Sequence, residues 1–447
     1  MADVNYRPRF YVPPEDVHGT LSEFMLADGF DFVLDMHKSK RSYFVESRSG
    51  KKYMDFFTCF ASMPIGMNHP EMTDEEFIKY IGLYALNKPS NSDIYTDAIA
   101  TFVKTFFKTA VPKHFKYSFY IEGGALAVEN ALKAAFDWKV RKNLRKGIEN
   151  KGHQVIHFRE AFHGRTGYTM SLTNTDPNKV KYFPKFNWPR VSNPKVKFPL
   201  EGENLELAIA AEKKSIDEIK QAFANNKDDI AAIIIEPIQG EGGDNHFRDE
   251  FLQELKKLAI ENDALLIFDE VQTGVGLTGT MWAHEQMGVE PDILCFGKKM
   301  QVCGILAGER LDEEPDNVFH ASSRINSTWG GNLVDMVRST KYLEIIDKEK
   351  LVDNAKMMGD KLAKGIDGLR EKFPGLIDNP RGRGLFRAFD MPEADKRQKL
   401  LDECFNEGLL ILPCGPKSIR FRPPLNLTES QLEEGIDIIE DSLKAIA

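Results

Sequence analysis

The sequence predicts an α/β protein: a large domain with a mostly parallel sheet covered by helices, and a smaller α+β domain. Three observations predict it. Between residues 118 and 310, short apolar runs bounded by glycine and acidic residues alternate with amphipathic stretches, the pattern of a sheet buried on both faces. From about residue 340 the pattern changes to helices with short strands. The 447 residues also exceed what one core of ordinary size absorbs. The expected division is an N-terminal arm and hairpin at 1–75, belonging to the small domain, a large domain at 76–335, and the rest of the small domain at 336–447.

In chain order, strand-like segments 43–47 and 52–57 are joined through Ser49 and Gly50 as a hairpin. The runs YSFYIEGG, QVIHFREAF, IAAIIIEPI, ALLIFDEV and DILCFGKK are the buried strands. Amphipathic segments, among them 125–142 and 249–262, are the covering helices. Lys139, Arg141, Lys142, Arg145 and Lys146 cluster at a helix end and are expected to be a solvated last turn. Beyond 340 a helix is expected over 350–373, strands over 384–389, 409–413 and 418–421, and a closing helix from about Ser430.

Composition excludes several classes. With 42% hydrophobic residues and 31 Phe the chain is not disordered, and 33 Gly with 22 Pro is far from collagen. A net charge of −9 supplies no positive field for phosphate backbones, so no nucleic-acid partner is expected. The five Cys form neither a C-x-x-C pair nor a secreted disulfide framework, which fits a reducing cytoplasm. The polar, proline-bearing start does not read as a signal peptide, and no apolar run approaches a membrane span.

Two motifs mislead. Gly274, Gly276 and Gly279 match the dinucleotide fingerprint G-x-G-x-x-G after a strand, with Asp292 further on, the basis of a rival NAD-dependent oxidoreductase reading. The fingerprint should open a helix, but only 280–290 remain before Pro291, and Gly288 interrupts them. His284–Glu285 begins H-E-x-x-H, yet Gly288 occupies the second histidine position, so no metal is expected. Cys295 and Cys303 are read as small core residues.

Three strand ends carry complementary chemistry. IEGG runs into a helix, so bare backbone at Gly123, Gly124 and Ala125 can hold a phosphate. The strand LLIFD ends at Asp269, a carboxylate that needs a cation or hydrogen bonds if buried. The next strand ends at Lys298, whose amine can become a nucleophile among fixed positive groups. Together they are the parts that hold pyridoxal 5′-phosphate: an amine to attach it, an acid for its ring nitrogen and a phosphate cradle.

The chain resembles the class III aminotransferases, of the fold-type I pyridoxal-phosphate superfamily. The resemblance rests on an ordered set across nearly the whole sequence: GKKYMDFF, MNHP, EGGALAVENALK, FHGRTGYTMSLT, EPIQGEGGD, FDEVQTGVG, PDILCFGKKMQVC, STWGGN and IRFRPPL. It implies that Lys298 binds the cofactor covalently, with Lys299 as its inert neighbour. It also implies that Asp269 meets the ring nitrogen, Gln272 the ring oxygen, and Phe162 the ring face, with His163 beside it. Gly124 and Ala125 would bind the phosphate, joined by Thr328 of the second subunit of a homodimer, with Asn326 shaping that loop. Arg165 would bind the far carboxylate of both substrates and Arg420 the near carboxylate of 2-oxoglutarate. Glu241 would neutralise Arg420 while the amine substrate is bound. Arg422, two residues after Arg420, is expected to face the other way.

Within the family, EGGALAVENALKAAFDWK, EPIQGEGGDNHFR, GLTGTMWAHEQ and FGKKMQVCG are most similar to members acting on the ε-amine of L-lysine. The implied reaction is transfer of that amine to 2-oxoglutarate, giving L-2-aminoadipate 6-semialdehyde and L-glutamate. The alternatives within the family are a 4-aminobutyrate or an ornithine δ-aminotransferase. The animal 4-aminobutyrate enzymes carry a cysteine pair for an iron–sulfur cluster where this chain has Gly123 and Leu126, so no such cluster is expected.

Overall fold

The computed structural model describes residues 6–447. Its centre is a seven-stranded sheet in the order Phe115–Ile121, Cys303–Gly308, Ile293–Phe296, Leu265–Asp269, Ile230–Ile235, Gln154–Phe158, Arg190–Val191. Pairing is parallel except at Cys303–Gly308, which runs antiparallel to both its neighbours. Alternation explains why helices cover both faces. Ile234 and Ile267 pack with Ala131, Ala135 and Trp138 of the helix Gly124–Arg145, on one side. Their neighbours Ile233, Leu266 and Phe268 face Phe251, Leu252 and Leu255 of the helix Asp249–Glu261, on the other. Strands with both faces buried read as unbroken apolar runs for this reason.

The basic cluster differs from its expected solvated turn. Lys139 is buried and donates to the Asp263 carbonyl at 2.6 Å, while Lys142 and Lys146 bond the Asp263 carboxylate at 2.5 and 2.8 Å. Arg145 is paired with Glu314 at 2.6 Å. The helix end is fastened to the turn before Leu265–Asp269, a contact that helix periodicity does not report.

The remaining strands form two small sheets. One is antiparallel, ordered Asp378–Arg383, Phe386–Asp390, Ser418–Phe421, Leu412–Cys414. The other joins the hairpin Tyr43–Val45 and Lys52–Asp55 to Leu409–Leu410, which lies parallel to Lys52–Asp55. The single strand expected over 409–413 is thus divided between the two sheets. The helices Leu351–Lys372, Ala394–Glu407 and Glu429–Ile446 flank them.

Gly274, Gly276 and Gly279 lie in turns. A Cβ at Gly274 would fall 2.4 Å from the Trp282 ring, so this glycine serves close packing. Asp292 is occupied by Arg310 at 2.9 Å and by the Leu266 N–H at 2.8 Å. No helix among the described residues is long and apolar enough to cross a membrane.

Candidate active site

Adjacent parallel strands Ile230–Ile235, Leu265–Asp269 and Ile293–Phe296 end side by side, so the residues that follow or close them converge. They are Glu236, Asp269 and Lys298, and all three line one cavity of about 640 Å³. Ligands of open α/β sheets bind at the carboxyl ends of strands. The cavity is also lined by Gly124, Ala125, Phe162, His163, Arg165, Glu241 and Gln272.

The helix Gly124–Arg145 begins at the cavity. Gly123 precedes it at φ +104°, a conformation that favours glycine, and leaves the N–H groups of the first turn without helix partners. The loop carrying Phe162 and His163 is pressed against this start: a Cβ on Gly164 would lie 2.4 Å from that of Ala125. Glu129 ties the two together, its Oε1 accepting from Thr166 Oγ1 and the Tyr168 N–H, both at 2.6 Å.

Asp269 is buried, and its Oδ2 is 2.8 Å from His163 Nδ1. Burial alone would lower the basicity of His163, but the Asp269 hydrogen bond and charge outweigh it and raise its pKa. Lys298 is half-buried, and its amine is lowered to about 8 by desolvation and then by Arg420 and Arg422, against Asp269 and Glu236. Its neighbour Lys299 is buried elsewhere, donating to the Gln272 carbonyl at 2.7 Å. Two consecutive lysines therefore divide into one facing the cavity and one bracing the loop.

Glu236 has no counterpart among the residues singled out from the sequence. Its Oε1 accepts from the Phe162 N–H at 2.9 Å and its Oε2 from the Gly240 N–H at 3.0 Å. Burial, with the nearby Asp269 charge adding to it, raises its carboxyl to about 7. The signal was present in EPIQG, a strand-end acid of the same kind as Asp269.

Arg420 and Arg422 come from the small antiparallel sheet. The expectation that Arg422 faces away is wrong: residues i and i+2 share a face of a strand, and both guanidinium groups reach Gln272 Oε1. Arg422 is held at 2.6 and 2.9 Å by Asp244 and lies 3.4 Å over the Phe386 ring. Arg420 is buried, donates at 3.3 Å to Glu241 Oε2, and its Nε has no partner. Glu241 Oε1 accepts from Lys179. Gly240 permits this crowding, since a Cβ there would meet Gln272 Oε1 at 2.2 Å.

Arg165 is exposed at the cavity wall, with no carboxylate paired to it among the described residues. Asn326 and Thr328 lie on an exposed loop and do not line the cavity of their own chain. The assembled groups fit pyridoxal phosphate: a lysine of lowered basicity, a buried carboxylate fixed by a histidine, and unpaired N–H groups at a helix start.

The class III aminotransferase family model matches residues 27–443. An L-lysine-epsilon aminotransferase of Mycobacterium tuberculosis is 49% identical over 436 residues, 97% of this chain and 96% of that protein. The L-lysine-epsilon aminotransferase of Streptomyces clavuligerus is 46% identical over 97% of this chain and 95% of its own length. A solved lysine aminotransferase from M. tuberculosis, in the internal aldimine form, superposes with a TM-score of 0.96 at 48% identity, covering 98% of this chain and 100% of that one. With the strand-end lysine, acid and helix start in place, the chain belongs to the class III aminotransferases.

Proposed function

We propose that the protein moves the ε-amino group of L-lysine to 2-oxoglutarate, using pyridoxal 5′-phosphate and giving L-2-aminoadipate 6-semialdehyde and L-glutamate. The observation that carries the choice of a terminal amine as donor is Glu241 lying on buried Arg420, Oε2 to Nη2 3.3 Å. The ε-carbon of lysine bears no carboxylate, whereas the keto carbon of 2-oxoglutarate does. One site therefore needs a cation that is covered for the first substrate and free for the second, because a bare buried cation is costly. The identity to L-lysine-epsilon aminotransferases supports the same reading.

Pyridoxal phosphate, when bound, supplies an electron-poor ring that accepts the electron pair of the substrate's C–H bond. The protein does the rest. Lys298 Nζ, partly neutral at physiological pH, is the attaching amine and the base that carries the proton. The Asp269 carboxylate, oriented by His163, keeps a proton on the ring nitrogen. The free N–H groups at Gly124 and Ala125 would hold the phosphate, and Phe162 would pack against the ring. Gln272 presents its Oε1 to the two arginines, which leaves Nε2 to donate to the ring oxygen. Arg165 binds the far carboxylate of either substrate by a two-pronged contact.

The active unit in this reading is a homodimer in which Thr328, with Asn326 shaping its loop, completes the phosphate site of the second subunit. Exposed Leu83, Leu86, Ile94, Tyr95 and Trp329 support a covered face near that loop. The pairing of the N-terminal hairpin with Leu409–Leu410 supports counting residues 1–75 with 336–447 as one small domain, beside a large domain of 76–335. Five free cysteines accord with a cytoplasmic setting.

The test is incubation with 2-oxoglutarate and lysine, ornithine or 4-aminobutyrate in turn, with products identified by mass spectrometry. Faster turnover of ornithine or 4-aminobutyrate overturns the substrate choice. Glu241→Gln is expected to slow the lysine half-reaction at least ~10-fold, about 1.4 kcal/mol, and not the 2-oxoglutarate half-reaction. Equal slowing of both would mean a permanent ion pair instead.

A further inference from the structure

The Glu241 carboxylate is shared by two cations of different kinds. Arg420 is buried, 3.3 Å away and part of a strand. Lys179 is half-buried and stands in the short turn Pro177–Lys179, opened by Asp176 accepting from the Asn178 N–H at 2.9 Å. Its amine meets Glu241 Oε1 while Arg420 meets Oε2, so each oxygen has its own partner. Lys179 Nζ also lies 5.6 Å from the centre of the Phe162 ring, at the cavity wall.

We propose that Lys179 is a positioning residue that draws Glu241 away from Arg420 and so sets the affinity of the site for a dicarboxylate. The inference rests on the reading of Arg420 as the 2-oxoglutarate carboxylate site. When a carboxylate binds Arg420, Glu241 must leave it, and a half-buried carboxylate without a cation is costly. Lys179 already holds the other oxygen, so Glu241 can rotate off Arg420 and remain paired. Without Lys179 the full attraction of Glu241 falls on Arg420, and the incoming carboxylate competes against a tighter lid. Lys179 thus acts only through Glu241, and its effect has a definite sign: removal weakens dicarboxylate binding.

The experiment measures glutarate, an unreactive five-carbon dicarboxylate, binding to the holoenzyme by calorimetry, together with KM and kcat for 2-oxoglutarate. Lys179→Met is expected to weaken glutarate about three- to fivefold, the scale of a partly exposed ion pair, and to raise KM for 2-oxoglutarate by a similar factor with much less change in kcat. Lys179→Arg is expected to restore both. In a Glu241→Gln background the Lys179→Met change is expected to have no effect on glutarate, because no carboxylate remains to be drawn off. Equal weakening in that background would overturn the proposal, since Lys179 would then be binding the ligand itself or holding the loop. Unchanged glutarate affinity in Lys179→Met alone would overturn it as well. Arg420→Ala separates the two readings. Loss of glutarate binding there with no Lys179 effect removes only the role of Lys179. Retained binding removes the Arg420 site and the inference with it.

Discussion

Lys298 stands at φ +49°, one glycine beyond a fully buried strand, where burial first and then two arginines depress its amine to about 8. At that value about a tenth of the amine is neutral at pH 7, far more than for an unperturbed lysine. Recombination of the cofactor-free protein with pyridoxal phosphate is therefore expected to accelerate as pH rises through about 8 and to level off above it; a rise continuing towards 10.5 would contradict the assignment. Lys298→Ala is expected to leave the fold intact and to abolish covalent cofactor attachment and turnover. Lys299 is expected not to substitute, because its amine is directed to the Gln272 carbonyl. For Asp269→Asn, an amide beside His163 no longer keeps the ring nitrogen protonated. A loss of at least ~10²-fold in kcat is expected, about 2.7 kcal/mol of barrier, and steady-state kinetics check it.

At the scale of elements, the helix Gly124–Arg145 has its start at the cavity and its end pinned by Asp263. Desolvation would raise the Asp263 carboxyl, but Lys142 and Lys146 hydrogen bonds and the Lys139 charge overcome it and hold it at about 2. A carboxylate whose folded pKa is depressed contributes stability above its unfolded value, and that contribution disappears as pH falls through the folded value. Asp263→Asn is accordingly expected to lower the thermal midpoint at pH 7, with the gap to the parent closing between about pH 4 and pH 2. No gap at pH 7 would mean that the bond from Lys139 to the Asp263 carbonyl, which the substitution keeps, carries the fastening, and a gap independent of pH would mean that the carboxylate charge does not.

At the scale of the whole molecule, the single chain brings two of its parts together: strand ends of the large sheet line the cavity, and arginines of the small one bond Gln272 and Glu241 in its wall. It leaves the loop bearing Thr328 exposed. If that loop completes a neighbouring site, mixing Lys298→Ala chains with Thr328→Ala chains places both lesions in one site of each mixed dimer and leaves the other intact. Activity above either parent is then expected after subunit exchange, and no recovery would mean that Thr328 serves its own chain.

What the sequence by itself determined is local or periodic. The buried parallel strands read as apolar runs, though the antiparallel Cys303–Gly308 did not. The helices over 125–142 and 249–262 emerged within a few residues, and the order of motifs named the family. Lys298, Asp269 and the helix start at Gly124 were legible because each sits where an element ends, and an element's end is a one-dimensional signal. Only the tertiary structure decided what lies across the chain from what. It joined Leu409–Leu410 to the N-terminal hairpin, fastened the basic helix end to Asp263, and made Glu236 the bond partner of Phe162 and Gly240. It also set Arg420 and Arg422 on one face against Gln272, and gave Glu241 a second cation in Lys179, 62 residues away. Such contacts depend on how strands from distant segments stack into sheets, and burial gives a polar side chain its partner only after that stacking is complete.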